Sequence, residues 1–189
     1  MAGNANRVAL GYGRAYIAAY SSSSPEALPS DSTARDGSWG GNWVELGYTG
    51  GVQTSLSQEY RHVEVDQSTI EIKSFVTKQD ASIELTLKET SVENLKYALG
   101  FGTLATSGSS GVITWTTNPT ITEYTLGIEG PSPSGTVTEA QRIYFYRVVP
   151  VSEPEIVFSR EEETVCAVKF KPLQHSTGSI GFARQYRTS

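Results

Sequence analysis

Residues 80–88 alternate strictly, with Ala81, Ile83, Leu85 and Leu87 on one side and Ser82, Glu84, Thr86 and Lys88 on the other. A period of two held over this length predicts a half-buried strand. The pattern then lengthens. Thr90 and Glu93 have the spacing of a capping box with Thr90 as N-cap, Val92, Leu95 and Leu99 share one stripe, and Gly100 suits a C-terminal stop. A helix over residues 90–100 makes only about two and a half turns, so it needs a sheet to pack against.

Before this segment the chain reads as strand and loop. Residues 14–20 (RAYIAAY) form a short apolar strand. Residues 21–41 are rich in Ser, Pro, Gly and Asp, a loop long enough to suggest an arm or a partner contact, and Trp39 and Trp43 stand at its end. Residues 43–49, a Gly50-Gly51 turn and a return through residues 52–66 predict a hairpin. Residues 67–79 alternate weakly, with Ile70 and Ile72 opposite Glu71 and Lys73, and read as an extended, partly ordered excursion. After the helix, strands are expected at residues 113–116, 121–129, 141–149, 155–160, 164–171 and 179–186, parted by turn-rich pieces. In the third of these Tyr144 and Tyr146 alternate with Phe145, so both faces carry aromatics and both should be covered. The expectation is one domain over residues 1–189, mainly antiparallel β with one short α-helix.

Charge narrows the function. The formal net charge is −5 and no cluster of Lys and Arg stands out, so the chain should not grip DNA or an anionic bilayer. Cys166 is the single cysteine, which rules out an intrachain disulfide, and its parity with Val168 and Phe170 predicts a buried thiol. There is no basic region followed by an apolar run at the start and no apolar stretch of membrane-spanning length, so a cytoplasmic product is expected. The two histidines, His62 and His175, have no second ligand at metal spacing, and no nucleophile elbow is present. Gly11-Tyr12-Gly13 precedes a strand instead of opening a helix, and Glu161 to Glu163 read as a solvated hairpin tip. No enzymatic activity, cofactor or metal is expected.

The stretch NWVELGYTGGVQTSLSQEYRHVEVDQS at residues 42–68 resembles the tail tube proteins of long-tailed, siphovirus-type bacteriophages. So do the opening GRAYIAAY, the Ser/Pro loop after it, the KETSVENLKYALG helix at residues 88–100 and the closing VCAVKFKPLQ at residues 165–174. The resemblance implies an antiparallel β-sandwich or partial barrel with one short helix. It implies a structural virion protein whose rings of about six copies stack into a tube, with about four strands per copy lining the bore. Genomic double-stranded DNA would pass without specific binding. The implied partners are the tape measure protein and the tail tip and terminator proteins, with assembly in the host cytoplasm and no membrane.

Strand parity offers Ser55, Ser57, Glu59, Glu84, Glu123 and Glu155 as residues facing the DNA, with an ordinary outer-surface position equally open for each. Trp39, Trp43, Ile70, Ile72, Phe75, Tyr144 and Tyr146 are the inter-subunit candidates, and residues 21–41 and 67–79 the candidate assembly arms. Two other readings remain at this stage. One is a different tail part, either a terminator or the inner tube of a contractile tail. The other is a carbohydrate-binding β-sandwich using Trp39 and Trp115.

Overall fold

A computed structural model describes residues 13–30, 33, 35, 37–63, 73–89, 91–107, 110–115, 117, 119–132, 140–151 and 165–185. Nine strands and one helix follow in order: β1 (Gly13–Ala19), β2 (Val44–Val63), β3 (Lys73–Leu87), α1 (Val92–Leu99), β4 (Thr103–Ser107), β5 (Ser110–Thr114), β6 (Tyr124–Pro131), β7 (Ala140–Pro150), β8 (Cys166–Pro172) and β9 (Gly181–Gln185). The predicted strand at residues 155–160 lies outside the described residues.

The expected sandwich or partial barrel is instead a closed barrel. Hydrogen-bonded neighbours run β1, β2, β3, β8, β7, β6, and β6 returns to β1, so six strands close the ring. β9 adds to the edge of β7 beyond the short reach of β8, pairing Gln141–Phe145 of β7 while β8 pairs Val148–Pro150. Closure happens because β6 is buried along most of its length and finds an antiparallel partner on each side.

Inside the barrel sit Ala15 and Ile17 of β1, Leu46 of β2, Ile83, Leu85 and Leu87 of β3, Leu126 and Ile128 of β6, Val148 of β7, and Cys166, Val168 and Phe170 of β8. The alternating apolar set of residues 81–87 therefore does face the core, and the Cys166 thiol is buried as its parity predicts. α1 packs over one end of the barrel with Ala98 in the core. Its N-cap is Ser91, whose hydroxyl accepts from the Asn94 amide at 3.0 Å; Thr90, the expected cap, lies outside the described residues. Gly100 ends the helix in the left-handed region at φ 71°, donating to the Lys96 carbonyl, as expected of a C-terminal glycine.

Two segments differ from expectation because long-range pairing outweighs a local turn signal in one and weak alternation in the other. Gly50-Gly51 is not a hairpin turn. β2 runs through it as one strand of 20 residues, and Gly50 is a bulge between the Thr49–Leu87 and Gly51–Thr86 pairs. Likewise residues 73–79, expected as an excursion, are the first half of β3 and pair with β2. The β4–β5 hairpin packs against α1; the strand expected at residues 113–116 overlaps only the end of β5, and β4 was not expected.

The long loop is docked on the outside of the barrel. The described residues of this loop, 21–30, 33, 35 and 37–41, meet the outer faces of β1, β6 and β7, where Tyr16, Gly127, Glu129, Arg142 and Tyr144 point away from the core. Arg142 and Glu129 are 0% and 1% exposed and form an ion pair at 2.9 Å. The same guanidinium donates to the Ser30 and Thr33 carbonyls, while the Tyr144 hydroxyl donates to the Glu26 carbonyl at 2.6 Å. Loop carbonyls thus take up donors of a buried cation that its carboxylate partner does not reach.

Candidate functional site

One wall of the barrel meets the described part of the loop; on the opposite wall, β2–β3–β8, the outward Gln53, Glu84 and Lys169 are exposed. Beyond it, two strands continue alone. β1 pairs with β2 only as far as Thr49, and β8 pairs with β3 only from Ile83 onward, yet β2 and β3 stay paired out to Val63 and Lys73. The result is a two-stranded arm whose outer edges have no further strand among the described residues. Residues 53–62 and 75–79 are all exposed.

Register assigns the two faces of this arm. Directly paired residues share a face, so the face that carries Leu85 and Ile83 inside the barrel continues outward through Leu56 and Ala81, then Gln58 and Gln79. A bulge places one extra residue, Thr77, on β3, with its hydroxyl on the Glu59 carbonyl at 3.1 Å. Tyr60 and Val76 pair beyond it on the same face. Leu56, Tyr60 and Val76 are 57%, 54% and 52% exposed, an apolar continuation of the core.

The other face is polar from Gln53 to Glu59 on β2 and from Glu84 to Lys78 on β3, and past the bulge it continues through the Arg61–Phe75 pair. It carries Gln53, Ser55, Ser57 and Glu59 from β2, Lys78, Asp80, Ser82 and Glu84 from β3, and Lys169 and Lys171 from β8. Ser55 and Ser82 share a hydrogen bond at 2.7 Å. Lys169 meets Glu84 at 2.6 Å, Lys171 meets Asp80 at 3.2 Å, and Lys78 meets Glu59 at 3.5 Å. The Lys171 ammonium, by hydrogen bond and by charge, holds the Asp80 carboxyl below the usual carboxylate range.

The residues singled out in the sequence distribute as follows. Ser55, Ser57, Glu59 and Glu84 come together on the polar face. Glu123 lies elsewhere, half-buried beside β7, where Arg147 forks onto both its oxygens at 2.9 and 2.5 Å. Glu155, Ile70 and Ile72 lie outside the described residues. Phe75 is exposed on the arm, opposite Arg61.

Trp39 is buried, stacked on Tyr16 with centroids 4.1 Å apart and Arg142 over its ring, and Trp43 meets it edge-on. Tyr144 is buried under Glu26, and Tyr146 stacks on the His175 ring. Burial removes Trp39 as a sugar platform and leaves Trp115 exposed without it. Sequence reasoning missed Lys169 and Lys171. Their alternation with Val168 and Phe170 was the available sign, and β8 does alternate buried and exposed along its whole length.

Among the described residues no group of three or more His, Cys, Asp or Glu side chains could hold a metal ion, and no helix is long and apolar enough to cross a membrane.

Comparison with known proteins gives one family. The sequence pattern described as "Phage tail tube protein" matches residues 1–180. No curated protein matches the chain. Among solved structures, Hcp1 from Salmonella typhimurium is 12% identical, with 93% of this chain and 96% of that chain covered at a TM-score of 0.34. A second Hcp protein is also 12% identical, with 94% and 99% covered at a TM-score of 0.36.

Proposed function

Since the chain belongs to the phage tail tube proteins and is a structural component of the virion tail, we propose that its copies join through the β2–β3 arm into rings that stack as a DNA-conducting tube. The carrying observation is the two-faced arm. A two-stranded ribbon is marginally stable in water by itself, and free edges beside an apolar face invite another copy to add strands. A neighbour covering Leu56, Tyr60 and Val76 would leave the Ser55, Ser57, Glu59 and Glu84 face in water, toward the bore.

Barrel geometry supports a ring of about six. Some four strands from each of about six copies, at ~4.8 Å spacing and ~40° tilt, give a circumference of roughly 150 Å and a bore of roughly 38 Å after ~10 Å for side chains. The same arithmetic for about four copies leaves roughly 22 Å, too tight for a hydrated duplex about 20 Å across. Ring contacts are heterologous and close, while stacking contacts are heterologous and stay open, so the product is a filament. Residues 21–41 and the arm are the segments through which copies touch, and assembly takes place in the host cytoplasm on the tape measure protein between tip and terminator proteins. Duplex DNA passes without specific binding, and no catalysis is involved.

Negative-stain microscopy of the concentrated purified protein tests this. Hollow filaments with a central channel near 40 Å are expected. Light scattering that shows only monomers at every concentration, with or without tip proteins, would refute it.

A further inference from the structure

The polar face is not simply acidic. It bears three carboxylates, Glu59, Asp80 and Glu84, and three ammonium groups, Lys78, Lys169 and Lys171, each ammonium within 3.5 Å of one carboxylate, and past the bulge it also carries the Arg61 guanidinium. Lys78 is directly opposite Glu59 in the β2–β3 register, and Lys169 directly opposite Glu84 in the β3–β8 register. Lys171 reaches Asp80 diagonally. Around that last pair, Ser55, Ser57, Ser82, Lys169 and Lys171 line a shallow hollow of about 370 Å³, with Asp80 standing in it. Hydroxyls and ammonium groups converging on a hollow are the donor set that a nucleic-acid phosphate takes.

We propose that Asp80 and Glu84 are masking residues: by holding Lys171 and Lys169 they keep a lysine-bearing face from gripping duplex DNA. Exposed ion pairs contribute little to folding, so stability does not explain three cross-strand pairs on one face. Their effect on a passing polyanion is larger. Each lysine that engages a phosphate releases a counterion and steepens the salt dependence of binding by about 0.9 per contact. A carboxylate in contact with the ammonium occupies it and sets a like charge against the phosphate. The lysines in turn let many copies of the face converge without accumulating self-repulsion. The inference rests on the tube reading only for which ligand passes.

The test uses the full chain in four forms: wild type, D80N/E84Q, K169Q/K171Q, and all four changes together. Anisotropy of a fluorescent duplex of about 20 base pairs is followed from low to moderate salt. D80N/E84Q is expected to bind at least roughly tenfold more tightly than wild type at low salt, with a slope of log K against log salt near −2. The fourfold variant should return to the wild-type level. Equal binding by wild type and D80N/E84Q overturns the proposal, as does tight binding that survives loss of both lysines. All four side chains are about half exposed, and circular dichroism checks that each variant folds.

A second arm locates the face. Tubes of D80N/E84Q assembled with duplex present and then treated with nuclease should retain protected DNA. If the protomer gains affinity but tube-bound DNA is fully digested, masking stands and the assignment of this face to the bore falls.

Discussion

Glu129 and Arg142 face each other across β6 and β7, both buried, with Nε and Oε1 2.9 Å apart. The pair closes the barrel wall and, through the carbonyls of Ser30 and Thr33, ties the long loop to it. Truncating one partner leaves an uncompensated buried charge, which costs about 3–5 kcal/mol. Arg142→Ala and Glu129→Ala should each lower unfolding stability by that order in urea titrations. Arg142→Ala should also release the loop, seen as a red shift of tryptophan emission as Trp39 meets water.

Gly127 admits Trp39. A Cβ at position 127 would collide with the six-membered ring of the indole. Overpacking of this kind costs about 1–3 kcal/mol. Gly127→Ala is expected to destabilise by that amount, and Trp39→Leu in the same chain should recover part of the loss, as read by thermal unfolding.

Asn94 joins the helix to the barrel: its side-chain amide donates to the Leu46 carbonyl at 3.1 Å and to the Glu89 carbonyl at 2.7 Å, both from a buried position. Asn94→Ala orphans two carbonyls and should cost about 1–3 kcal/mol. Ser91→Ala removes only the N-cap bond and should cost about 1 kcal/mol. Equal losses from both changes would contradict the anchoring role given to Asn94.

The Asp80 carboxyl is held low by Lys171, so its proton is bound less readily in the folded chain than in the unfolded one. The ion pair's contribution is therefore present above the unfolded carboxylate value, about 3.9, and is lost as pH falls through the lower folded value. Carbon-detected NMR titration should show Asp80 titrating below that reference, and Lys171→Gln should move it back up.

Leu56, Tyr60 and Val76 lie on the exposed apolar face of the arm. Leu56→Ser with Tyr60→Ser should change protomer stability by no more than about 0.5 kcal/mol, as surface substitutions do. If the arm joins copies, the same double change should raise the concentration at which filaments appear by at least an order of magnitude in sedimentation assays. Loss of protomer stability comparable to a core deletion would show instead that the face is already covered.

Local patterning carried much of the fold. The alternation from Ala81 to Leu87 announced β3, and the Val92 stripe with Gly100 announced α1, because both are written in neighbouring residues. Barrel closure is not written there: β6 meeting both β1 and β7 depends on pairing between residues far apart in sequence. The Gly50-Gly51 pair carried a turn signal that tertiary pairing converted into a bulge. At the candidate site, parity placed Ser55, Ser57, Glu59 and Glu84 together, since they lie on two paired strands. Their cations were hidden because Lys169 arrives from a strand 85 residues beyond Glu84. The Glu129–Arg142 pair left no local trace, since β7 carries both Arg142 and Arg147 and nothing nearby in the sequence tells the buried one from the other.

β2 and β3 pass from the barrel wall into the arm as unbroken chains of rungs, with bulges at Gly50 and Thr77 but no joint. The arm is thus a cantilever built into its support. A pull on its tip loads many parallel rungs in shear at once instead of peeling them singly, so tension along a row of such copies would travel through backbone from one wall to the next.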